Sequence, residues 1–433
     1  MRNIFKYMNG KHILLPFLFA AMLLSSCKKD DPADIDSFYK EPNEAMNYIM
    51  NEYYLWDTEV PTLNPDNYDD PAALLDALRY KELDKWSYIA SYTEHQQWYN
   101  SGQYAGLGIG FGYHADNTVR IMFVYDDSPL KEQGVKRGWE VRKVNGTSII
   151  PGQTNINALL GPNEEGVTTT IEFKTNEGEI KTVTAEKKVI TTNSVLYADT
   201  IDLGSKIAGH MVYNSFISPS VQEINSAFAL FKEAGITDLI LDLRYNGGGD
   251  LNVAQHLGSM VIGTKGNDKV YYHFSHNNNV SEELDTSVNF DNLPDALDIN
   301  RIIFLTSQNS ASASEVLING LKPHMEVMVV GDRTHGKPVG MYGWDRPFKN
   351  YDLIFIPVCF KLVNSEGEGD FFNGIPVDYH AVDDLTRDFS DRDEAMLRTA
   401  LSLVKGETMI RKSTIQQPQY PERHGLEFEI GAY

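Results

Sequence analysis

The chain has 433 residues, of which 42% are hydrophobic, so it is long enough for two or three globular domains. Its 60 acidic residues outnumber its 38 basic residues and give a formal net charge of -22. A surface with this charge repels nucleic acid, and no cluster of basic residues offsets it, so we exclude nucleic acid as a partner.

Residues 1–26 have the pattern of a secretory signal peptide. Three basic residues come first, and an apolar run, Ile13–Leu24, follows them. This run is too short to span a bilayer and has the length of a signal-peptide core. Because the segment holds no acidic residue, its removal takes the net charge from -22 to -25.

The next residues, Leu24-Ser25-Ser26-Cys27, resemble a bacterial lipobox, in which the cysteine becomes the lipidated N-terminus. The resemblance implies a lipid anchor at Cys27, a polar tether over residues 27–33 and a place in the cell envelope. Lysine rather than aspartate after Cys27 favours the outer membrane, facing either the periplasm or the cell surface. The alternative is ordinary cleavage nearby, which would leave Cys27 as a free thiol.

Cys27 and Cys359 are the two cysteines of the sequence. If Cys27 is acylated, no internal disulfide can form, so stability must come from the core. Cys359 lies in the apolar stretch IFIPVCF, which predicts a buried structural thiol.

Residues 34–100 are expected to form a helical region. Four apolar residues recur near the helical spacing: Ala45, Ile49, Tyr53 and Trp56. Pro61 ends that segment, and a second helix is predicted over Ala72–Tyr80. Such an aromatic stripe is more typical of core packing than of a binding surface.

From about Gln103 the pattern changes to short strands and turns. The residues Gly106, Leu107, Gly108 and Ile109 resemble the carboxylate-binding loop of a PDZ domain, and the sequence as far as residue 190 fits the course of such a domain. Successive N–H groups in a glycine loop can point at the terminal carboxylate of a peptide, while an exposed strand edge pairs with its backbone. The alternative is a glycine-rich hairpin that binds no ligand.

Residues 191–405 are expected to form one α/β domain. A strand over Ile207–Ile217, a helix over Ser220–Ala234 and a buried strand over Leu239–Leu243 predict a parallel strand pair with a right-handed crossover. The turn at residues 246–249 then lies at the carboxyl end of a strand, where α/β sheets place their sites. Its three adjacent glycines let backbone N–H groups approach a ligand.

A second strand-to-helix connection carries the candidate nucleophile. The strand Arg301–Thr306 is followed by small residues and by a helix over Val316–Leu321. Ser312 would stand at the positive end of that helix, beside N–H groups that could hold an oxyanion. The alternative is structural, because Ser312 and Glu315 also fit a capping box.

Lys337 follows the predicted strand Val327–Val330 and a loop with glycine at position 336. A lysine packed against the serine loop and kept from water would have a lowered pKa and could act as a base. His335 is the alternative base, although no acidic residue that would orient it is evident from the sequence.

Together these residues resemble the C-terminal processing peptidases, or tail-specific proteases, which are serine peptidases with a Ser/Lys dyad. The resemblance rests on SASASE with serine and lysine twenty-five positions apart, on Leu239–Asp250 (LILDLRYNGGGD), and on the PDZ-like region, and it covers roughly residues 35–405. It implies a mixed α/β catalytic domain of the ClpP/crotonase-like type, with Ser312 and Lys337 as the dyad. It also implies that the N–H groups of Gly248 and Ala313 form the oxyanion hole.

The chain departs from the family at two positions. Gly247 stands where the family has proline, and Met341 stands where relatives often have a glutamine that orients the lysine. These differences keep two alternatives open: a catalytically inactive, lipid-anchored peptide-binding protein, and a hydrolase of small esters that uses Ser312 with His335.

The function implied by the resemblance is a serine endopeptidase that cleaves extended or unfolded polypeptides and needs no cofactor. No metal site is predicted, because His324 and His335 lack partners at ligand spacing. Residues 406–433 form a Gln- and Pro-containing tail with no assigned role, and the oligomeric state stays open.

Overall fold

The computed structural model describes residues 41–114, 116–407 and 423–433. The predicted signal peptide, the predicted lipidation site Cys27 and the tether lie outside the described residues. Within the described residues, no helix has both the length and the apolar character needed to cross a bilayer.

Residues 41–101 form three α-helices, two short 3-10 turns and one short strand. The bounds are α1 Pro42–Glu52, α2 Pro71–Leu78, β1 Tyr88–Ser91 and α3 Tyr92–Ser101. The prediction that the first helix reaches Trp56 is wrong, because α1 ends at Glu52. A tertiary hydrogen bond replaces the helical one after this point. The N–H of Leu55 donates to the carbonyl oxygen of Val358 at 3.0 Å rather than to the preceding helical turn.

Residues 103–191 form antiparallel strands with one short helix. The elements are β2 Gln103–Gly106, β3 Ile109–His114, β4 Thr118–Val124, β5 Glu140–Val144, β6 Thr147–Ser148, α4 Ile156–Leu160, β7 Thr168–Lys174, β8 Ile180–Glu186 and β9 Lys188–Thr191. The sheet order is β3-β4-β5-β7-β8, with β6 paired to β5, while β2 pairs with β9. Strand β3 is an edge strand, so one side of its backbone can pair with a further segment.

Residues 195–405 form a mixed α/β domain, as predicted. Its main sheet has the order β10-β11-β12-β15-β16-β20. Strands β11, β12, β15, β16 and β20 are mutually parallel, and β10 is antiparallel to β11. The elements of this sheet are β10 Val195–Asp202, β11 Ile207–Tyr213, β12 Asp238–Asp242, β15 Arg301–Thr306, β16 Glu326–Gly331 and β20 Tyr379–His380.

A second sheet and several helices complete the domain. The sheet has the order β14-β13-β19-β17, and β1 pairs with β18. The strands are β13 Val270–His276, β14 Ser287–Asn289, β17 Val339–Met341, β18 Leu353–Ile356 and β19 Val358–Asn364. The helices are α5 Ser220–Ala234, α6 Leu251–Ile262, α7 Ser281–Leu284, α8 Ala313–Leu321 and α9 Ala395–Lys405, and the C-terminal segment adds α10 Gly425–Ile430.

The parallel strands deliver three loops to one edge of the main sheet. All five residues of β12 are buried, as expected for a strand covered on both faces. The glycine turn follows β12, the serine loop follows β15 and the lysine loop follows β16. Because parallel strands end on the same edge, the three candidate motifs meet there.

Strand β11 ends at Tyr213, four residues before the predicted end at Ile217. The chain leaves the sheet because Phe216 pairs with the glycine turn instead. Its N–H donates to the carbonyl oxygen of Gly248 at 3.0 Å, and its carbonyl oxygen accepts from the N–H of Asp250 at 2.7 Å. The residues after β11 therefore support the turn.

Cys359 lies in β19 as a fully buried free thiol, which confirms the prediction for this residue. Burial raises the pKa of the thiol to about 12, so the thiolate is disfavoured at neutral pH.

Candidate active site

Ser312 stands between β15 and α8 in a strained backbone conformation. Its φ of 53° and ψ of -116° lie where a residue with a side chain is rarely found, at a cost of about 1–3 kcal/mol. Helix α8 begins at the next residue, so the partly exposed Ser312 lies at the positive end of the helix dipole. The predicted helix start at Val316 is three residues too late.

The two neighbouring serines have structural hydrogen bonds. Ser310 Oγ donates to the carbonyl oxygen of Leu243 at 2.8 Å, and Ser314 Oγ donates to that of Asn246 at 3.0 Å. Both carbonyls belong to the segment after β12, so these two serines fix the serine loop to the glycine turn. Their hydroxyl hydrogens are used there, which singles out Ser312 as the reactive candidate.

Glu315 joins the serine loop to the lysine loop. Its fully buried Oε2 accepts from the N–H of Ser312 at 2.9 Å and from the N–H of Lys337 at 2.8 Å. Its Oε1 accepts from the N–H of Gly336 at 2.7 Å and from the hydroxyl of Thr334 at 2.5 Å. Burial raises the pKa of Glu315 to about 7, and the hydrogen bonds only partly oppose this effect.

The predicted capping box is present at α8. The N–H of Glu315 also donates to the backbone carbonyl oxygen of Ser312 at 2.8 Å. A serine hydroxyl that accepts a capping hydrogen bond keeps its own hydrogen for a base. The capping role and the nucleophilic role of Ser312 are therefore compatible.

Lys337 follows β16 in the loop that Glu315 holds against the serine loop. The residue is only 5% exposed. The same glutamate oxygen accepts from the backbone N–H groups of Lys337 and Ser312, so the two backbones are bridged by a single atom. This arrangement brings the two predicted dyad residues to one site.

The predicted oxyanion residues are adjacent. A Cβ added at Gly248 would lie 2.7 Å from the Cβ of Ser312 and 3.1 Å from the backbone nitrogen of Ala313, so only glycine fits. The N–H of Ala313 has no acceptor within the described part of the chain. The N–H of Gly248, however, donates to Asn246 Oδ1 at 2.9 Å. Gly248 can donate to an oxyanion only if it exchanges that hydrogen bond.

His335, the alternative base, is held by a carbonyl group. Its Nδ1 lies 3.2 Å from the carbonyl oxygen of Gln308, so we assign the Nδ1 proton to that contact. Its ring lies 4.9 Å from that of Phe428, centroid to centroid. His335 is exposed, but the protein atoms packed around it partly desolvate the ring and lower its pKa, which favours the neutral form.

The two departures from the family have structural explanations. A Cβ at Gly247 would lie 2.9 Å from the carbonyl oxygen of Phe428, so glycine lets the C-terminal segment approach the turn. Met341 ends β17 and packs against the hydrophobic core. The backbone of Lys337 is positioned by Glu315 rather than by residue 341.

The predicted carboxylate-binding loop connects β2 to β3. Gly108 has a φ of 71°, a conformation that favours glycine. The N–H groups of Leu107 and Ile109 both donate to the same acceptor, the backbone oxygen of Tyr433, at 2.8 Å and 3.2 Å. The structure thus places the backbone of Tyr433 at the predicted loop.

Sequence reasoning missed three parts of this arrangement. It treated Glu315 only as a cap, although the lysine loop depends on the same carboxylate. It did not assign Asn246, whose side chain accepts from Gly248 and donates to the carbonyl oxygen of Tyr213 at 3.0 Å. It also gave the C-terminal tail no role.

No group of three or more His, Cys, Asp or Glu side chains in the described ranges could hold a metal ion.

A strained serine at a helix start, a glycine turn against its Cβ and a buried lysine lie together at one edge of the main sheet. The model of peptidase family S41 matches residues 208–380, and the model of the peptidase S41 N-terminal domain matches residues 41–88. The chain belongs to peptidase family S41.

Several known proteins resemble this chain. A probable CtpA-like serine protease of Staphylococcus haemolyticus is 27% identical over 254 residues, which cover 59% of this chain and 48% of that protein. A probable CtpA-like serine protease of Staphylococcus epidermidis ATCC 12228 is 28% identical over 303 residues, which cover 68% of this chain and 58% of that protein. The chain thus spans about half the length of these curated relatives.

A crystal structure from Bacteroides fragilis NCTC 9343, described as an S41 protease, shares the fold with a TM-score of 0.67. The two chains are 23% identical, and the match covers 84% of this chain and 97% of the other.

Proposed function

We propose that the protein is a serine endopeptidase of the C-terminal processing type, which cleaves extended or unfolded polypeptides. The observation that carries this proposal is the bridge made by Glu315, which holds the backbone of a strained serine and that of a buried lysine on one carboxylate oxygen. A purely structural serine would not need a strained backbone at a partly exposed position.

In the proposed mechanism, neutral Lys337 takes the proton of Ser312 Oγ as this oxygen bonds to the scissile carbonyl carbon. Burial of a lysine favours the neutral amine that this step needs. The resulting ammonium then gives its proton to the leaving amine as the carbon–nitrogen bond breaks. Water, deprotonated by Lys337, releases the acyl group and restores the Ser312 hydroxyl.

The N–H of Ala313 is the ready oxyanion donor, because it has no acceptor among the described residues. We assign the second donor to Gly248, once its N–H turns from Asn246 Oδ1 to the oxyanion. One such donor contributes roughly a hundredfold or more to turnover.

Residues 103–190 would act as a PDZ domain that binds substrate C-termini through Leu107, Gly108 and Ile109. The edge position of β3 and the backbone oxygen that accepts from the N–H groups of Leu107 and Ile109 support this assignment. The parallel main sheet supports a catalytic domain of the ClpP/crotonase-like type.

The N-terminal sequence supports a lipid anchor at Cys27 in the cell envelope, with the domains on the periplasmic or the cell-surface side of the outer membrane. Replacing Cys27 with serine should move the protein from the membrane fraction to the soluble fraction. Unchanged membrane association would contradict this part of the proposal.

Cleavage of a denatured test protein, followed by mass spectrometry of the products, tests the activity. We expect Ser312→Ala and Lys337→Ala each to lower the rate by about 10³-fold or more, with melting curves close to that of the parent. Survival of activity in Lys337→Ala, together with its loss in His335→Ala, would favour the histidine alternative. No cleavage by the parent, in the full-length chain and with the C-terminal segment removed, would favour the inactive binding protein.

A further inference from the structure

The last residues of the chain occupy the predicted carboxylate-binding loop. The backbone oxygen of Tyr433 accepts from the N–H of Leu107 at 2.8 Å and from the N–H of Ile109 at 3.2 Å. The N–H of Tyr433 donates back to the carbonyl oxygen of Ile109 at 2.8 Å. Tyr433 therefore pairs with the open edge of β3 while its backbone oxygen lies at the loop, which is how an added peptide strand is held.

The side chain of Tyr433 is buried and contacts the side chains of Phe111 and Arg423. It is 6% exposed, and its ring stacks on Phe111 with centroids 4.5 Å apart and planes 14° apart. The guanidinium of Arg423 lies 4.2 Å from the centroid of the Tyr433 ring. A Cβ at Gly106 would lie 2.8 Å from the backbone carbonyl carbon of Tyr433, so the loop glycine makes room for the backbone of Tyr433.

The other end of the segment lies against the catalytic residues. Phe428 contacts the turn through the approach of its carbonyl oxygen to Gly247, and its ring lies beside that of His335. Between these ends, Leu426 and Ala432 are buried in a cluster that includes Tyr245, the residue just before the turn's Asn246. Residues 423–433 thus extend from the oxyanion turn to the carboxylate loop.

We propose that residues 423–433 are an intramolecular ligand of the carboxylate loop, which the C-terminus of a substrate must displace before it can be held for cleavage. The loop would accordingly select peptides that end in a free carboxylate on an aromatic residue, with small residues before it, as in Gly431-Ala432-Tyr433. The proposed selection of ligands requires only peptide binding by the loop. The proposed inhibition of cleavage by residues 423–433, which we call the inhibitory consequence, also rests on the proposed peptidase function.

A tethered ligand competes at a high effective concentration, of order millimolar for a short flexible link. A free peptide with the same ending should therefore bind the intact chain about 10- to 100-fold more weakly than it binds a chain whose own C-terminus is absent.

The binding test uses Ser312→Ala protein, so that no result depends on catalysis. The probe is a fluorescent peptide with the sequence of residues 425–433 and a free carboxylate, and its C-terminally amidated form is the matched control. Three proteins are compared by fluorescence anisotropy: the full chain, a chain that ends at residue 422, and a full chain with two glycines added after Tyr433.

We expect the shortened chain and the extended chain both to bind the free-acid peptide at least about tenfold more tightly than the full chain does. The amide should bind all three weakly. Equal affinity of the three proteins for the acid, or equal binding of acid and amide, would overturn the proposal. The extended chain keeps Tyr433 in the sequence, so it provides the test if the shortened chain fails to fold.

The same changes in protein with Ser312 intact separate the two proposals. A rise in cleavage rate in both altered chains supports the inhibitory consequence. If peptide binding changes as expected while neither altered chain cleaves, the peptidase proposal fails and the intramolecular ligand stands. If both altered chains cleave no faster than the full chain although they bind the peptide more tightly, the inhibitory consequence is contradicted.

Discussion

The catalytic site and the carboxylate loop differ in how their binding groups are used. At the catalytic site, the N–H of Ala313 has no acceptor among the described residues, and Ser312 is partly exposed. At the carboxylate loop, the N–H groups of Leu107 and Ile109 are already satisfied by Tyr433. The first site keeps one N–H donor without an acceptor among the described residues, whereas both N–H groups of the second already donate to Tyr433.

The two regions also differ in the sequence separation of the residues that form them. The serine loop and the lysine loop lie close in sequence and are joined by one buried carboxylate. The carboxylate loop is filled by a residue more than three hundred positions away. Changes at the first region should therefore lower catalysis, while changes at the second should alter access to it.

The largest expected effect concerns a buried ionic network next to the glycine turn. Arg244 contacts Asp242 at 2.7 Å, Asp383 at 2.7 Å and Glu394 at 3.2 Å, and all four residues are buried. Arg244→Met leaves these carboxylates without that cation, so we expect the free energy of unfolding to fall by about 3–5 kcal/mol in urea denaturation. Arg398→Met, an exposed change on α9, is the control. A loss no larger than the control's would contradict the role of the network.

Glu315 should give stability a pH dependence. Its pKa of about 7 in the folded chain lies above the ordinary value of 4.5, so the folded state binds the proton more tightly. Proton binding by Glu315 therefore contributes fully to the free energy of unfolding below pH 4.5. This contribution, about 3 kcal/mol at most, is lost as the pH rises to about 7. Urea unfolding across this range should show a smaller fall in Glu315→Gln than in the parent, and equal falls would count against the assignment.

The same substitution should also impair turnover. In Glu315→Gln, an NH₂ group replaces one of the two carboxylate oxygens. This group cannot accept hydrogen bonds from the N–H donors that now bond to that oxygen, so one loop must shift. A displacement of about 1 Å costs roughly a hundredfold in rate. We expect kcat to fall by about this factor, and the exposed Glu233→Gln on α5 should leave it unchanged. Full activity of Glu315→Gln would show that the bridge does not position the dyad.

The smallest effect is expected at Phe428, which contacts the catalytic region but not the carboxylate loop. Phe428→Ala should raise kcat/KM about threefold, because the segment loses its contact with His335 while Tyr433 stays bound. Glu427→Ala, exposed on the same helix, is the control. A large gain in peptide affinity with no change in cleavage rate would contradict this prediction, because it would show that residues 423–433 block the carboxylate loop alone.

Local patterns predicted much of this architecture. The strand Arg301–Thr306 and the helix Ser220–Ala234 have the predicted bounds, because apolar periodicity reflects burial in a sheet or against it. The predicted parallel pair is present for the same reason. The ends of α1 and β11 were misjudged, because contacts with Val358 and Gly248 decide where these elements stop.

The sequence indicated candidate site residues but not the hydrogen bonds among them. Spacing and resemblance indicated Ser312, Lys337 and Gly248, and the structure brings all three together. That Glu315 serves two loops depends on the parallel pairing of β15 with β16, which brings the ends of both strands side by side and which no local pattern reveals. The docking of Tyr433 depends on the path of the whole chain.

Labelling with a fluorophosphonate, followed by mass spectrometry of the modified peptide, tests the central claim most directly. The account predicts a single adduct on Ser312 that disappears in Lys337→Ala and persists in His335→Ala. An unlabelled Ser312 in a chain freed of residues 423–433, or an adduct that survives Lys337→Ala, would contradict it.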